Sequence, residues 1–430
     1  MAKIETNNII TILDIGASKI VCLNVLVDYL NSPKILGVGH QLSQGIGAGG
    51  VISDIKNLER AIVSAISAAE KSSGNNIEEV FVNFSGSKLR SLYAEIELDI
   101  SGGEVLDKDL ARINEMAFQN YSNENNDIIQ SVPVSYEIDN ISGIANPAYM
   151  FGKKLKAHLN LVVQAPTVTH NLLNCLSRCH LNVAGVVPSS YATSLAVLTH
   201  DEMQNGVIVM DIGDSNCDIA IFVDGKMCFT ISMPFGGSLI TRDIQQIFSL
   251  SKVAAEKVKV LYGSIFFESD NQRDTIDLFD VVDLEDDGSG NYIQKHKLCE
   301  IIYARMREIF VYIENYMQND KFAKKFYTKA KNHIVLTGGT ANLLGISELA
   351  KNVFGARVRV VSPKDVAVNM PSEHRQAQFS TAYGLIKHAV SHNKLNSSEF
   401  RQFNNGSYFV NTIKKIIGYE ATSDFLRKYF

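Results

Sequence analysis

Apolar runs broken by short polar turns organise this chain. Val207-Ile208-Val209-Met210 and Ile219-Ala220-Ile221-Phe222-Val223 each have the length and β-branched content of a buried strand. The turn between them is acidic, built on Asp211, Gly213, Asp214 and Asp218. Residues 9–27 repeat the pattern, with Asp14-Ile15-Gly16-Ala17-Ser18-Lys19 between two apolar runs. One such turn is an ordinary hairpin tip. Its recurrence favours chemistry, because a tight strand-turn-strand aims several backbone N–H groups at one point and suits an anion such as phosphate. An acid at the end of the first strand can hold the water shell of a phosphate-bound Mg²⁺. Two of these hairpins can clamp the phosphates of one nucleotide from opposite sides, with Mg²⁺ between Asp14 and Asp211.

The remaining elements follow from the same periodicities. Residues 44–54 form a Gly-rich turn too irregular for a G-x-G-x-x-G fingerprint, and Leu58, Ala61, Ile62, Ala65, Ile66 and Ala69 then repeat at helical spacing. Past a strand at 80–85, alternation through Leu92, Ala94, Ile96, Leu98 and Ile100 predicts a strand, and Asp107 is positioned to cap a helix carrying Leu110, Ile113 and Ala117. Strand-like pieces at 132–138 and 155–163 complete a β-α-β-β block over 85–165, which reads as an inserted domain.

A helix at 168–178 precedes a strand, a Pro188-Ser189-Ser190 turn and a helix leading into the second hairpin. Beyond that hairpin, Gly236-Gly237 opens a helix where backbone can approach an anion closely. The helix at 251–263 sets Glu256 and Lys259 one turn apart, which by itself is a surface ion pair. A long amphipathic helix spans 297–317. Residues 333–345 read as a buried strand, Gly338-Gly339-Thr340 and a helix, where paired glycines permit flat approach of a ring or phosphate. A strand at 358–361 and a packed helix at 376–390 follow. Residues 391–407 have the polar composition of a flexible linker. Phe409, Ile413, Ile416 and Ile417 then share one helical face beside Lys414 and Lys415, as in an interfacial helix, and Phe425, Leu426, Tyr429 and Phe430 make a second apolar cluster.

Composition narrows the class. With 430 residues, 46% hydrophobic and 20% charged, the chain predicts a soluble globular protein of several domain-sized units. A net charge of -5 gives no reason to expect a nucleic-acid partner. The cysteines are scattered without a CxxC pair, which fits reduced thiols in a cytosol. Cys175, Cys179 and His180 lack a second ligand pair and read as packed side chains. Asp283, Glu285 and Asp287 approach EF-hand offsets, but Gln294 stands where the bidentate Glu belongs. The start of the chain lacks the apolar core of a signal peptide, and no run approaches the ~18 apolar residues of a membrane span. A protein made and kept in the cytosol is expected, with surface attachment to a membrane compatible.

Three segments in this order, D14-I-G-A-S-K, D211-I-G-D-S-N-C-D and T337-G-G-T-A-N-L-L-G, resemble the phosphate-1, phosphate-2 and adenosine motifs of the actin-like ATPases. Within that superfamily the chain resembles the FtsA family of bacterial cell-division proteins, through the insertion at 85–165 and through G45-I-G-A-G-G-V-I-S-D, P234-F-G-G-S-L-I-T-R-D-I and A255-E-K-V-K-V-L-Y-G. The resemblance covers roughly residues 9–390. It implies an α/β actin-like ATPase fold, with two similar halves around a nucleotide cleft and an inserted α+β subdomain. Subdomain 1A would comprise 1–84, 166–204 and 365–390, inserted subdomain 1C 85–165, subdomain 2A 205–240 and 319–364, and subdomain 2B 241–318. A linker at 391–407 and a membrane-targeting tail at 408–430 would follow.

ATP and Mg²⁺ are the implied cofactors. Asp14 and Asp211 would hold hydrated Mg²⁺, and the turns Gly16, Ala17, Ser18, Lys19 and Gly213, Asp214, Ser215, Asn216 the phosphates, with Gly236 and Gly237 behind them. Glu256 and Lys259 would reach ribose or base, and Gly338, Gly339 and Thr340 the adenosine. The implied role is a polymerising adaptor at the division site that tethers FtsZ filaments to the inner face of the cytoplasmic membrane and helps recruit later division proteins. The region 241–318 would meet FtsZ and the insertion the next protomer.

Two departures bear on mechanism. The second phosphate turn is commonly D-I-G-G-G-T in this family, whereas here Asp214-Ser215-Asn216 follow the first glycine. Residues 181–199 contain no acid where many relatives place one able to orient water. The expectation is a site that holds ATP as a structural switch, with hydrolysis slow or absent. A PilM-like assembly ATPase and a sugar kinase of the same superfamily are the alternatives. The first lacks the lipid helix, and the second requires a catalytic Asp and leaves insertion and tail unexplained.

Overall fold

The computed structural model describes residues 9–27, 32–266, 274–278, 292–363 and 369–396, with side chains as far as 391. In chain order, β1 (Ile9–Ile15), β2 (Lys19–Val27) and β3 (Pro33–Leu42) form a meander, followed by α1 (Ile55–Ser73) and β4 (Glu79–Phe84). The helix α1 starts where Asp54 accepts the Asn57 N–H at 3.0 Å and stops where Gly74 turns left-handed. The inserted block contains β5 (Arg90–Asp99), α2 (Asp107–Tyr121), β6 (Asp127–Ile138), β7 (Ile141–Ile144) and β8 (Lys154–Gln164). Then come α3 (Pro166–Arg178), β9 (Asn182–Pro188), α4 (Ser189–Val197) and α5 (His200–Asn205).

A second meander, β10 (Val207–Ile212), β11 (Cys217–Val223) and β12 (Lys226–Met233), leads to α6 (Gly237–Phe248) and α7 (Lys252–Tyr262). The small strands β13 (Thr275–Asp277) and β14 (Tyr292–Gln294) precede α8 (Lys295–Asn319) and α9 (Lys321–Ala330). The described chain closes with β15 (His333–Thr337), α10 (Ile346–Phe354), β16 (Arg357–Val360) and α11 (Ser380–Asn396).

The strands show two copies of one plan. The first sheet runs β3-β2-β1-β4-β9, and the second contains β12-β11-β10-β15-β16 in the same relative order. In each, the first three strands pair antiparallel and the last two join parallel. Alternation fixes how the halves meet. Along β10, Val207 and Val209 belong to the core of the first half, while Ile208, Met210 and Ile212 belong to that of the second. Along β11, Ala220 and Phe222 face the first core, and Cys217, Ile219, Ile221 and Val223 the second. A one-residue slip would exchange these faces. The same parity sends Asp211 and Asp218, directly opposite each other in the ladder, toward the first half.

The inserted block has its own core around Ala94, Ile96, Ile113 and Leu155. Its sheet continues the second large sheet in the order β12-β5-β8-β6-β7. Several elements, β3, α5, β12 and α9 among them, go beyond the periodicities read above, α11 starts at Ser380 rather than 376, and three further local departures have a physical reason. The cap of α2 is not Asp107. The helix begins after Leu106, whose N–H is held by the Asp109 carboxylate at 2.9 Å, because the extended backbone at 106 brings that amide over the third helical position. The short strand β7 was missed, its Ile141-Ser142-Gly143-Ile144 offering too few alternating positions. Finally, α11 runs to Asn396, into the segment expected as linker, since polar residues at 391–396 do not by themselves end a helix.

Candidate functional site

Both D-I-G turns close with the same bond. The Gly16 N–H donates to the Lys19 carbonyl at 2.9 Å, and the Gly213 N–H to the Asn216 carbonyl at 2.9 Å. Registers match as well, with Ile15 opposite Ile20 and Ile212 opposite Cys217. Among the described residues, the N–H groups of Ala17 and Ser18 on one side, and of Asp214, Ser215 and Asn216 on the other, find no protein acceptor. The two turns line one cleft of about 510 Å³, a size typical of small-molecule sites. Every residue singled out above for the nucleotide lines this cleft except Gly236.

Gly236 stands behind the second turn: a β-carbon there would lie 2.3 Å from the Asp214 carbonyl oxygen. The amides of the α6 N-terminus, expected to face an anion, bond instead to that turn. Gly237 N–H donates to the Gly213 carbonyl at 3.0 Å and Ser238 N–H to the Asp214 carbonyl at 2.9 Å. With its carbonyls held from behind, also by Thr340 Oγ1 on Gly213 at 2.8 Å, the turn is fixed with its own amides outward. Gly338 sits at φ 92°, and a β-carbon there would lie 2.3 Å from Asp211 Oδ1, so this position requires glycine on two counts.

Lys259 is more committed than its spacing suggests. Its ammonium donates to the Gly237 carbonyl at 3.1 Å, Thr241 Oγ1 at 2.8 Å and Glu256 Oε2 at 2.7 Å. All three protons are thus engaged, two of them bracing α7 against α6. Thr241 also donates to Glu256 Oε2, and Glu256 remains part of the cleft wall.

Asp14 and Asp218 are buried, Asp211 is half-buried, and all three are oriented from the first half. Thr193 of α4 and Thr381 of α11 donate to Asp211 Oδ2 at 2.7 and 3.2 Å. Asn83, buried at the end of β4, receives the Ile15 N–H at 2.7 Å and donates to Ser189 Oγ at 3.0 Å, pinning the end of β1 beside Asp14. Ser85 bridges the halves, donating to Asp218 Oδ2 at 2.8 Å and accepting from Asn216 Nδ2 at 3.1 Å. Burial raises the Asp14 pKa to about 6, with Lys19 opposing and Asp211 reinforcing the rise. Burial likewise lifts Asp218 to about 7, and raises Asp211 against its Thr193, Lys19 and Thr381 partners. Lys19 is lowered by burial and held up by Asp14 and Asp211. Carboxylates raised by burial, Asp14 and Asp218 further by Asp211, mark a place where a cation is welcome.

Sequence reasoning missed Thr193, Thr381, Ser85 and Asn83, whose proximity exists only in the fold. Asn83 alone left a signal, as an amide inside the apolar run Val80-Phe81-Val82-Asn83-Phe84. The tail residues Phe409, Ile413, Lys414, Lys415, Ile416 and Ile417 lie outside the described residues, as does most of the acidic stretch around 283. Among the described residues no group of three or more His, Cys, Asp and Glu is arranged to hold a metal ion by itself. Nor is any described helix long and apolar enough to cross a membrane.

Comparison with known proteins bears on the family and the fold. The model of the family "Cell division protein FtsA" matches residues 208–384, and that of the "SHS2 domain inserted in FTSA" matches residues 86–163. The cell division protein FtsA of Agrobacterium fabrum is 30% identical over 417 residues, covering 94% of this chain and 93% of that protein. FtsA of Neisseria meningitidis serogroup B is 32% identical over 377 residues, covering 88% and 89%. Among solved structures, the PilM-PilN type IV pilus biogenesis complex aligns with a TM-score of 0.60 at 17% identity, over 89% of this chain and 98% of that one. MreB5 of Spiroplasma citri bound to ADP aligns with a TM-score of 0.53 at 13% identity, over 91% and 99%. The doubled sheet plan is that of the actin-like ATPases, and with the insertion at 86–163 and near-full-length similarity to its relatives, the chain belongs to the FtsA family of cell division proteins.

Proposed function

We propose that this protein binds ATP with Mg²⁺ in the cleft between its halves and, as a membrane-attached polymer, anchors FtsZ filaments to the inner face of the cytoplasmic membrane and helps recruit later division proteins. The observation that carries the nucleotide reading is the pair of matching turns, each with outward amides and an aspartate, facing one cleft. The donor set fits the group. Carboxylate oxygens of Asp14 and Asp211 suit a hard cation that keeps most of its waters, and the free amides of both turns suit phosphate oxygens. The magnesium ion would supply charge neutralisation between phosphates and carboxylates. Lys19 would add a direct cationic contact, Glu256 a ribose or base contact, and Gly338, Gly339 and Thr340 a flat wall for the adenosine.

Residues 241–318 are the proposed FtsZ-facing region, 85–165 the face toward the next protomer and 408–430 the lipid-binding tail. The missing acid in 181–199 and the Asp214-Ser215-Asn216 turn support holding of ATP over rapid turnover. Titration of the full chain with ATP and Mg²⁺ by calorimetry, beside Asp211→Ala, tests the site. Co-pelleting with FtsZ and liposomes tests the adaptor role, and FtsZ left in the supernatant at saturating protein would overturn it.

A further inference from the structure

Beside the first phosphate turn, outside every residue considered so far, lies a cluster of two imidazoles and a ring. His40 on β3 stands opposite Val21 of β2 and lines the cleft together with Lys19, Gln376 and Gln378. Its ring meets that of His374 edge-on at 5.5 Å, and both rest against Phe379, at 5.7 and 4.9 Å. The Lys19 ammonium lies 4.9 Å from the centre of the same Phe379 ring. His374 is only 8% exposed, and neither of its ring nitrogens has a hydrogen-bond partner. A buried imidazole with both nitrogens unsatisfied is costly for a purely structural residue.

We infer that His40 is a further contact for the outer phosphate of a bound nucleotide and that His374 is its buried partner, so that binding the polyphosphate draws a proton onto the pair. This rests on the nucleotide reading above. Lys19 from β2 faces the pair, and Glu373, on the same turn as His374, approaches its Nδ1 to 3.9 Å. Asp14 and Asp211 in turn hold up the charge on Lys19. Both imidazoles lie below their usual pKa, His40 through partial desolvation of its ring against the cluster, the neighbouring His374 and the Lys19 charge, and His374 through burial and Lys19 with Glu373 opposing. The pair is therefore neutral at pH 7 to 8 in the free protein. An arriving polyphosphate reverses the local field and raises both pKa values. By linkage, affinity rises as pH falls through the bound-state pKa and levels off below the free-state pKa.

The test is calorimetry of the full chain with ADP and Mg²⁺ at pH 6, 7 and 8, run at pH 7 in buffers of different ionisation enthalpy to count protons. Mg²⁺ binding expels protons from the raised Asp14 and Asp218 carboxyls in wild type and variants alike, so the imidazole contribution is read as a difference. The wild type should take up a fraction of a proton more than His40→Gln or His374→Gln, and gain about fivefold more affinity than either from pH 8 to 6, as a shift of about one pKa unit gives. Unchanged uptake and slope in both variants, with ADP still bound, would overturn the inference and leave the nucleotide site standing. Uptake that disappears only in Asp218→Asn would assign the proton elsewhere and overturn it too. Absence of ADP binding by the wild type removes the nucleotide reading itself.

Discussion

The first and second D-I-G turns share a backbone and differ in what they carry. At 16–19 the turn is small and ends in a cation, and the residue facing Asp14 across the ladder is Val21. At 213–216 the turn is polar and bulky, and Asp211 faces a second carboxylate, Asp218, which Ser85 ties to the other half. One fold element, used twice, has been given opposite electrostatic signs. The first turn is equipped to attract phosphate. The second, with its amides aimed by α6 and its two carboxylates, is equipped to organise a cation and to hold the halves in register.

The largest expected effect comes from removing the cation-organising side. Asp211→Ala should lower affinity for ATP with Mg²⁺ at least a hundredfold by calorimetry, the scale of losing a charged partner in a buried site. Affinity retained within a few-fold would end the contrast drawn here. Lys19→Ala tests the other turn and should weaken binding by about tenfold to a hundredfold, equally with and without Mg²⁺, whereas the Asp211 variant should lose its Mg²⁺ dependence.

Deleting 408–430 should abolish co-sedimentation with anionic liposomes and leave ATP binding within twofold, since ~1 kcal/mol per lysine near anionic lipid adds to apolar insertion there. Equal lipid binding by the truncated chain would refute the tail assignment. A smaller effect concerns pH. The Asp14 and Asp218 pKa values are raised by folding, so the stability they contribute is fully present below their unfolded pKa near 4. It is lost as pH rises through about 6 and about 7. In a chelator, the nucleotide-free protein should melt lower at pH 8 than at pH 5.5. Asp218→Asn should recover roughly 2–4 °C at pH 8. A variant no more stable than wild type at pH 8 would show that Asp218 carries no such strain.

How legible all this was in the sequence depends on the range of each interaction. Strand-turn-strand units were plain, because β10 and β11 alternate between two cores and so read as continuous apolar runs with an acidic break. The aspartates stood out for the same reason. Their orienting partners did not: Thr193 and Thr381 are ordinary helix residues until α4 and α11 converge on Asp211. Lys259 looked free to meet a ligand because i,i+3 spacing shows Glu256 but not Thr241 or the Gly237 carbonyl, which arrive from α6. The α6 amides misled in a similar way, since a helix N-terminus advertises donors without saying which acceptor takes them.

The junction between β12 and β5 has a mechanical meaning. By chain order the inserted block interrupts the first half, entering after β4 and leaving before α3. Its sheet bonds run to the second half: Ser232 N–H donates to the Leu89 carbonyl at 2.9 Å, Thr230 N–H to Ser91 Oγ at 2.7 Å and Asn160 Nδ2 to the Met227 carbonyl at 2.9 Å, while at its entry Ser87 N–H keeps a bond to the Gly49 carbonyl at 2.9 Å. The covalent tether and the stiff plank thus belong to different halves. A pull on the outer edge at β7 therefore loads the second half through the shared sheet, while both covalent ends of the block lie in the first.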